Sequence, residues 1–223
     1  MISISIDGAC RRNGKPNCIS TSGIFILHFN DDDSIEKTHC NVFMENKSTN
    51  QRGELLALLS AIEYAFIVDK SVQLITDSEY LFNALTKEWY KNWMNKGWVT
   101  ARGTAVKNRD IWESIVEALK QCEENNIEII PYYIKGHLAS FSKAAALKLL
   151  RQDSTGYKLY KAVKEKIEAK EFKPETIEMV NDLSLKNNGF VLIDKLFRHF
   201  VTLNVMADTL ASLGADFLDP YKG

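Results

Sequence analysis

The sequence predicts an α/β protein: a five-stranded mixed sheet flanked by helices, with a helical insertion before the last helix. Three observations carry this. Strand-like runs come first, at residues 2–7, 22–30 and 35–43, and return at 72–76 and 127–134. Helix-like runs fall between and after them, which sets helices against a sheet. The chain has 223 residues, 45% apolar and 26% charged, which suffices for one core with one elaboration.

Residues 2–7, Ile-Ser-Ile-Ser-Ile-Asp, alternate apolar and polar, as a half-buried strand does. Gly8, Gly14, Pro16 and Asn17 mark residues 8–22 as a loop. Gly-Ile-Phe-Ile-Leu-His-Phe, inside 22–30, is a largely buried strand. Asp31–Ser34 is a turn, and 35–43 should pair back as a hairpin. From Asn50 to Val68, Leu55, Leu58, Leu59, Ile62 and Phe66 recur at helical spacing; Asn50 is the expected N-cap. A central strand at 72–76 leads to a short helix at 78–85, capped by Ser78. A helix over 108–124 and a strand over 127–134 follow. From Leu138 to Leu203 the pattern is helical: 142–151, 157–171 and 175–186, with breaks at Lys173-Pro174 and Asn187-Asn188-Gly189. This stretch holds twelve Lys/Arg against eight Asp/Glu, a formal +4.

Composition narrows the function classes. The whole chain has a formal net charge of −1, so a nucleic-acid surface must be a local patch. There is no Cys-x-x-Cys pair and no zinc spacing with the histidines. The four cysteines read as reduced thiols of a cytoplasmic protein, with a Cys10–Cys18 disulfide as the alternative. Strand-like sequence from Ile2 onward argues against a signal peptide. No run of about 18 apolar residues suggests a membrane span.

Four acids stand out. Asp7 and Asp77 each end a strand-like run, Glu54 opens the long helix, and Asp208 sits in a late helical run. An unpaired charge set against apolar sequence is costly. Gathered at one sheet edge, the four would form a basket of hard oxygen ligands suited to Mg²⁺ or Mn²⁺ rather than zinc. Two such ions about 4 Å apart can activate a water and stabilise the leaving oxygen of a phosphodiester. Any one of these acids alone reads equally well as a cap or a surface charge; four in matching settings do not.

Residues 87–109 carry Lys87, Lys91, Lys96, Arg102, Lys107 and Arg109 against one acid, Glu88, with Trp89, Tyr90, Trp93 and Trp98 interleaved. Lysines neutralise phosphates, and indoles offer flat surfaces to sugars or bases. The plainer reading packs Trp89 and Trp93, four apart, into the core.

The order of motifs resembles ribonuclease H type 1. The carrying stretches are Ile6-Asp7-Gly8-Ala9-Cys10, Thr49-Asn50-Gln51-Arg52-Gly53-Glu54-Leu55, Thr76-Asp77-Ser78-Glu79-Tyr80 and Asn204-x-x-Ala207-Asp208-x-Leu210-Ala211. Between them, 89–98 resembles the family's Trp-rich basic handle, 106–112 the helix start after it, and Lys135-Gly136-His137 its histidine loop. The resemblance implies an RNase H-like domain formed by 1–137 and 204–223, with 138–203 inserted. It implies endonucleolytic hydrolysis of RNA in RNA–DNA hybrids, leaving 3′-hydroxyl and 5′-phosphate ends. Asp7 would bridge two Mg²⁺ ions (Mn²⁺ being the alternative), Glu54 and Asp77 would hold the leaving-group ion, and Asp208 the ion of the attacking water. Glu54 would also sense the 2′-hydroxyl, and His137 would move protons or aid product release. Asn13, Asn50 and Gln51 would contact the RNA strand, Thr49 and Asn108 a DNA phosphate, and Trp89, Lys91, Trp93, Lys96 and Trp98 the DNA strand.

The sequence departs from the family in two places. Seventy residues separate His137 from Asp208 where a short loop is usual, and the glycine run after Asp7 is depleted. Asp153, Asp182 and Asp194 are rival fourth acids, but only Asp208 has the Ala-Asp-x-Leu-Ala setting. The insertion reads either as helices packed on the domain or as a lid or clamp, with room for a protein partner; a monomer is expected. A DNA-directed nuclease of the same fold and a non-catalytic hybrid-binding protein are the alternative functions.

Overall fold

The computed structural model describes the chain except for residues 12–17, 33, 47, 178–193 and 218–223. Asn13, Asp182, most of the helix expected at 175–186 and the break at 187–189 therefore lie outside the described residues.

Three strands open the chain: β1 (Ile2–Arg11), β2 (Ile19–Phe29) and β3 (Ile35–Asn46). Then come α1 (Asn50–Val68), β4 (Val72–Thr76), α2 (Glu79–Thr86), α3 (Trp89–Asn95), α4 (Arg109–Glu124) and β5 (Ile129–Tyr133). The remaining helices are α5 (Lys143–Gln152), α6 (Tyr157–Glu168) and α7 (Asp194–Phe217). The five strands form one sheet in the order β3-β2-β1-β4-β5. The first three pair antiparallel, and β4 pairs parallel to both β1 and β5.

Alternation along the strands divides the core in two. Ile2, Ile4 and Ile6 of β1, with Ile24 and Ile26 of β2, face α1 and α4. Phe25 and Leu27 of β2, with Ile75 of β4, face α6 and α7. In α1 the apolar spacing places Leu55, Leu58 and Ile62 inward, all fully buried. Trp112 of α4 is equally buried, and its Nε1 donates to the Tyr80 hydroxyl at 2.9 Å. From α6, Leu159, Tyr160, Val163 and Ile167 fill the second face, and Tyr160 stacks on Phe25 at 5.8 Å. Each such side chain contributes roughly 1.5–3 kcal/mol of burial. Part of the inserted stretch therefore builds the core.

Several boundaries differ from expectation. The described residues of the loop expected over 8–22 are mostly strand: Cys10 pairs with Ser20 and Arg11 with Ile19. The turn-forming Gly8, Gly14, Pro16 and Asn17 made the stretch look loop-like, but the hydroxyls of Thr21 and Ser22 are used against helices. Thr21 Oγ1 donates to Ala211 O at 2.6 Å, and Ser22 Oγ to Gly53 O at 2.6 Å. Buried hydroxyls satisfied in this way cost little. The N-cap of α1 is Thr49, not Asn50; its side chain accepts from Arg52 N at 3.3 Å. The helix carrying Asp208 starts at Asp194, upstream of residue 204. The thiol reading fails for one pair, because Cys10 and Cys18 are disulfide-bonded, with Cα atoms 6.4 Å apart. They flank the end of the β1–β2 ladder, where pairing brings the strands together. Cys40 and Cys122 are free. Among the described residues no helix is long and apolar enough to cross a membrane.

Candidate active site

The parallel ladder between β1 and β4 ends at the pair Ser5–Ile75. Asp7 and Asp77 lie just beyond it on their two chains, so their carboxylates emerge at the same sheet edge. β1 itself does not end at Asp7, as the sequence suggested; it runs on as a ribbon with β2. Glu54 stands in the second turn of α1 rather than the first. It is held by Asn50 Nδ2, which donates to Oε1 at 2.9 Å, and by Ser78 Oγ, which donates to Oε2 at 2.6 Å. Asp208 comes from α7. That helix lies directly on β2 because Gly23 has no side chain: a Cβ there would overlap Ala207 O and sit 2.5 Å from Ala211 N. Gly136 does the same for the loop after β5, where a Cβ would run into Asp77 Oδ2. His137 follows with a left-handed φ of 59° and is exposed at the rim.

Asp7, Glu54, Asp77, Asp208 and His137 thus line one cleft of about 510 Å³, together with Asn50, Cys10 and Ser212. The two described rival acids are elsewhere. Asp153 accepts from Thr155 and from Lys158 N at the start of α6, and Asp194 pairs with Arg198 at 2.8 Å. Three neighbours the sequence had not assigned to the site touch its carboxylates or lie beside them: Ser78, Ser212 (Oγ to Asp208 Oδ1 at 3.5 Å) and Asn204. Ser78 was legible only as a helix cap, which it also is, and Asn204 only as part of a motif.

Electrostatically the cleft is frustrated. Asp7 keeps part of its surface open, yet burial raises its pKa well above the usual carboxylate value. Asp77 and Asp208 add to the rise, the Gly8 N–H at 2.7 Å offsets part of it, and Glu54 raises it further. Burial also raises Glu54, against the hydrogen bond from Ser78. Burial raises Asp77 too; Asn204 and His137 hold it down and Asp208 pushes it up. The Asn204 amide nitrogen is nevertheless buried without a hydrogen bond of standard geometry, so its hold on Asp77 is loose.

Such a cluster of oxygen donors fits hard divalent cations. Among the described residues no three His, Cys, Asp or Glu side chains close into a ligand set.

The other expected contacts gather around the start of α1. Thr49 is exposed, and Asn108 Nδ2 donates to Gln51 Oε1 at 3.4 Å. Arg52 clamps this corner, bonding Glu45 of β3 at 2.8 Å and Asp110 of α4 at 2.9 Å. Trp89, Trp93 and Trp98 are half-buried against the first core, and Trp93 packs edge-on to Trp112 at 5.3 Å. The tryptophans are therefore partly structural. Lys91 and Lys96 are exposed, Lys91 beside Glu88.

A mixed sheet with acids gathered beyond its central parallel pair defines an RNase H-like α/β protein. The family profile described as RNase H matches residues 2–155. The ribonuclease H of Clostridium botulinum is 34% identical over 134 residues, covering 60% of this chain and 82% of that protein. That of Rhodopseudomonas palustris is 36% identical over 161 residues, covering 72% and 94%. In fold, the crystal structure of LC9-RNase H1, described as a type 1 RNase H with the type 2 active-site motif, superposes with a TM-score of 0.51. It is 23% identical over 62% of this chain and 64% of that one. The chain belongs to the ribonuclease H family, hydrolases that act on nucleic acids.

Proposed function

We propose that this protein cleaves the RNA strand of RNA–DNA hybrids endonucleolytically, by a two-metal-ion mechanism that leaves 3′-hydroxyl and 5′-phosphate ends. The observation that supports this best is the convergence of Asp7, Glu54, Asp77 and Asp208 on one cleft in a family member. Mg²⁺, or Mn²⁺ at the same ligands, would supply water activation and charge neutralisation at the leaving oxygen. Asp7, the most hindered acid, would take the bridging position. Glu54 and Asp77 would hold the leaving-group side, and Asp208 the water side. Glu54, oriented by Asn50 and Ser78, would also accept from the ribose 2′-hydroxyl, the atom that separates RNA from DNA. His137, on the open rim, would carry protons out with the product.

Thr49, Asn50, Gln51 and Asn108 form a polar corner beside the cleft that would seat the two backbones. Lys91 and Lys96 would track the DNA strand along the wall built by Trp89, Trp93 and Trp98. In this reading 1–137 and 204–223 make the catalytic unit and 138–203 the insertion. The protein would work as a monomer in a reducing, cytoplasmic compartment. The test is cleavage of a labelled hybrid with Mg²⁺ and with chelator, followed by analysis of the new ends. Metal-dependent products with extendable 3′-hydroxyls are expected; cleavage in chelator, or 3′-phosphate ends, would defeat the two-ion reading.

A further inference from the structure

Among the described residues β1 has no strand partner on its β4 side beyond Ser5. Residues Gly8–Arg11 pair with Ile19–Ser22, which pair in turn with Phe43–Asn46, so the edge of a ribbon of three antiparallel strands walls the cleft. Two ties fix this ribbon to the helix carrying Asp208: Arg11 pairs with Asp216, and Thr21 Oγ1 donates to Ala211 O at 2.6 Å. Cys10 sits on the ribbon, half-buried and lining the cleft. Cys18 lies behind it, only 1% exposed, bonded to it across the strand pair. The two sulfurs thus differ in access and touch each other. That is the arrangement of an attacked cysteine with a resolving partner.

We propose that Cys10 and Cys18 form a reversible redox site that takes low-molecular-weight disulfides of the glutathione type and keeps the cleft clear of their adducts. The proposal rests on reading the cleft as the hybrid site. In the reduced protein the Cys10 thiolate attacks one sulfur of the small disulfide. That S–S bond breaks, and the first glutathione leaves as a thiolate that takes up the proton Cys10 lost. The remaining glutathione, now on Cys10, stands where the hybrid must pass. Cys18 then attacks the Cys10 sulfur, breaks the mixed disulfide and releases the second glutathione, which takes the Cys18 proton. The protein has lost two electrons, now held in two glutathione thiols. The product is the Cys10–Cys18 bond seen in the structure, which places no foreign group in the cleft. A protein thiol cannot be left blocked by such an adduct while a buried partner stands ready to displace it.

The test challenges reduced wild type, Cys18→Ser and Cys10→Ser with oxidised glutathione, then assays hybrid cleavage and measures intact mass. All three are first assayed in dithiothreitol. Failure of wild type to cleave there would count against the proposed function and not against the redox site. After the challenge, wild type should keep its cleavage rate and carry the internal bond without bound glutathione. Cys18→Ser should hold glutathione on Cys10 and lose cleavage until dithiothreitol restores it. Cys10→Ser should be indifferent. If Cys18→Ser fails to fold, Cys18→Ala takes its place, and the wild-type mass stands on its own. Stable glutathione on wild-type Cys10, or undiminished cleavage by a glutathionylated Cys18 variant, would overturn the proposal.

Discussion

Asp7 concentrates the conflict between stability and function. Its carboxylate is buried among three others, and burial with like charge raises its pKa well above the ordinary value. A raised acid pKa means that the folded state gains from protonation. The penalty is absent below the ordinary carboxylate value and grows as pH rises through the shifted one. Without metal the protein therefore carries a repulsion that grows as pH rises. Asp7→Asn should relieve this repulsion and raise Tm by a few degrees in chelator, while abolishing turnover. Thermal melts with and without Mg²⁺ check this: Mg²⁺ should stabilise wild type more than the variant. Gly23 predicts the opposite sign. Gly23→Ala pushes a Cβ into the backbone of α7, so it should cost at least about 2 kcal/mol and depress activity by shifting Asp208. The four acids were legible in the sequence because each is a charge at an apolar boundary. Ser78 and Asn204 were not, since what they do depends on which carboxylate the fold brings beside them.

At the scale of elements, α1, β4 and the hairpin of β2 with β3 follow from patterns that tertiary structure did not override. The strands around residues 8–22 did not read as strands. Thr21 and Ser22 turn hydroxyls to partners, Ala211 and Gly53, that lie far along the chain, and no local pattern signals such partners. The α3 segment was read as a basic, Trp-rich grip, but the structure divides the labour: indoles half-buried, amines outside. Replacing Lys91 and Lys96 with Gln should therefore weaken hybrid binding without unfolding. The slope of log affinity against log salt should fall by about one for each lysine. Trp93→Ala should instead lower stability by about 3 kcal/mol or more, measured by denaturant unfolding.

For the whole molecule, two histidines on different faces set the acid limit. His28 is buried against Tyr64, its Nε2 2.7 Å from the hydroxyl, and its pKa is lowered to about 4 by burial and then by Lys37 and His39. His199, on α7, is likewise lowered to about 4, by burial and by Lys164. A lowered histidine pKa means that the unfolded chain takes the proton first, near pH 6.5, and the folded chain only near 4. Their contribution is whole above the upper value and lost as pH falls through this window. Unfolding midpoints should drop across that window, and His28→Gln should flatten the drop; an unchanged pH dependence would refute the assignment. The central claim, that the carboxylate cleft cuts RNA paired to DNA, is tested most directly by one substrate panel. The same sequence is presented as RNA–DNA hybrid, duplex RNA, duplex DNA and single strands, with Mg²⁺, each strand labelled in turn. Cutting confined to the RNA strand of the hybrid is the expected result. Cutting of duplex DNA with the hybrid left intact, or tight hybrid binding with no cutting at all, would contradict it.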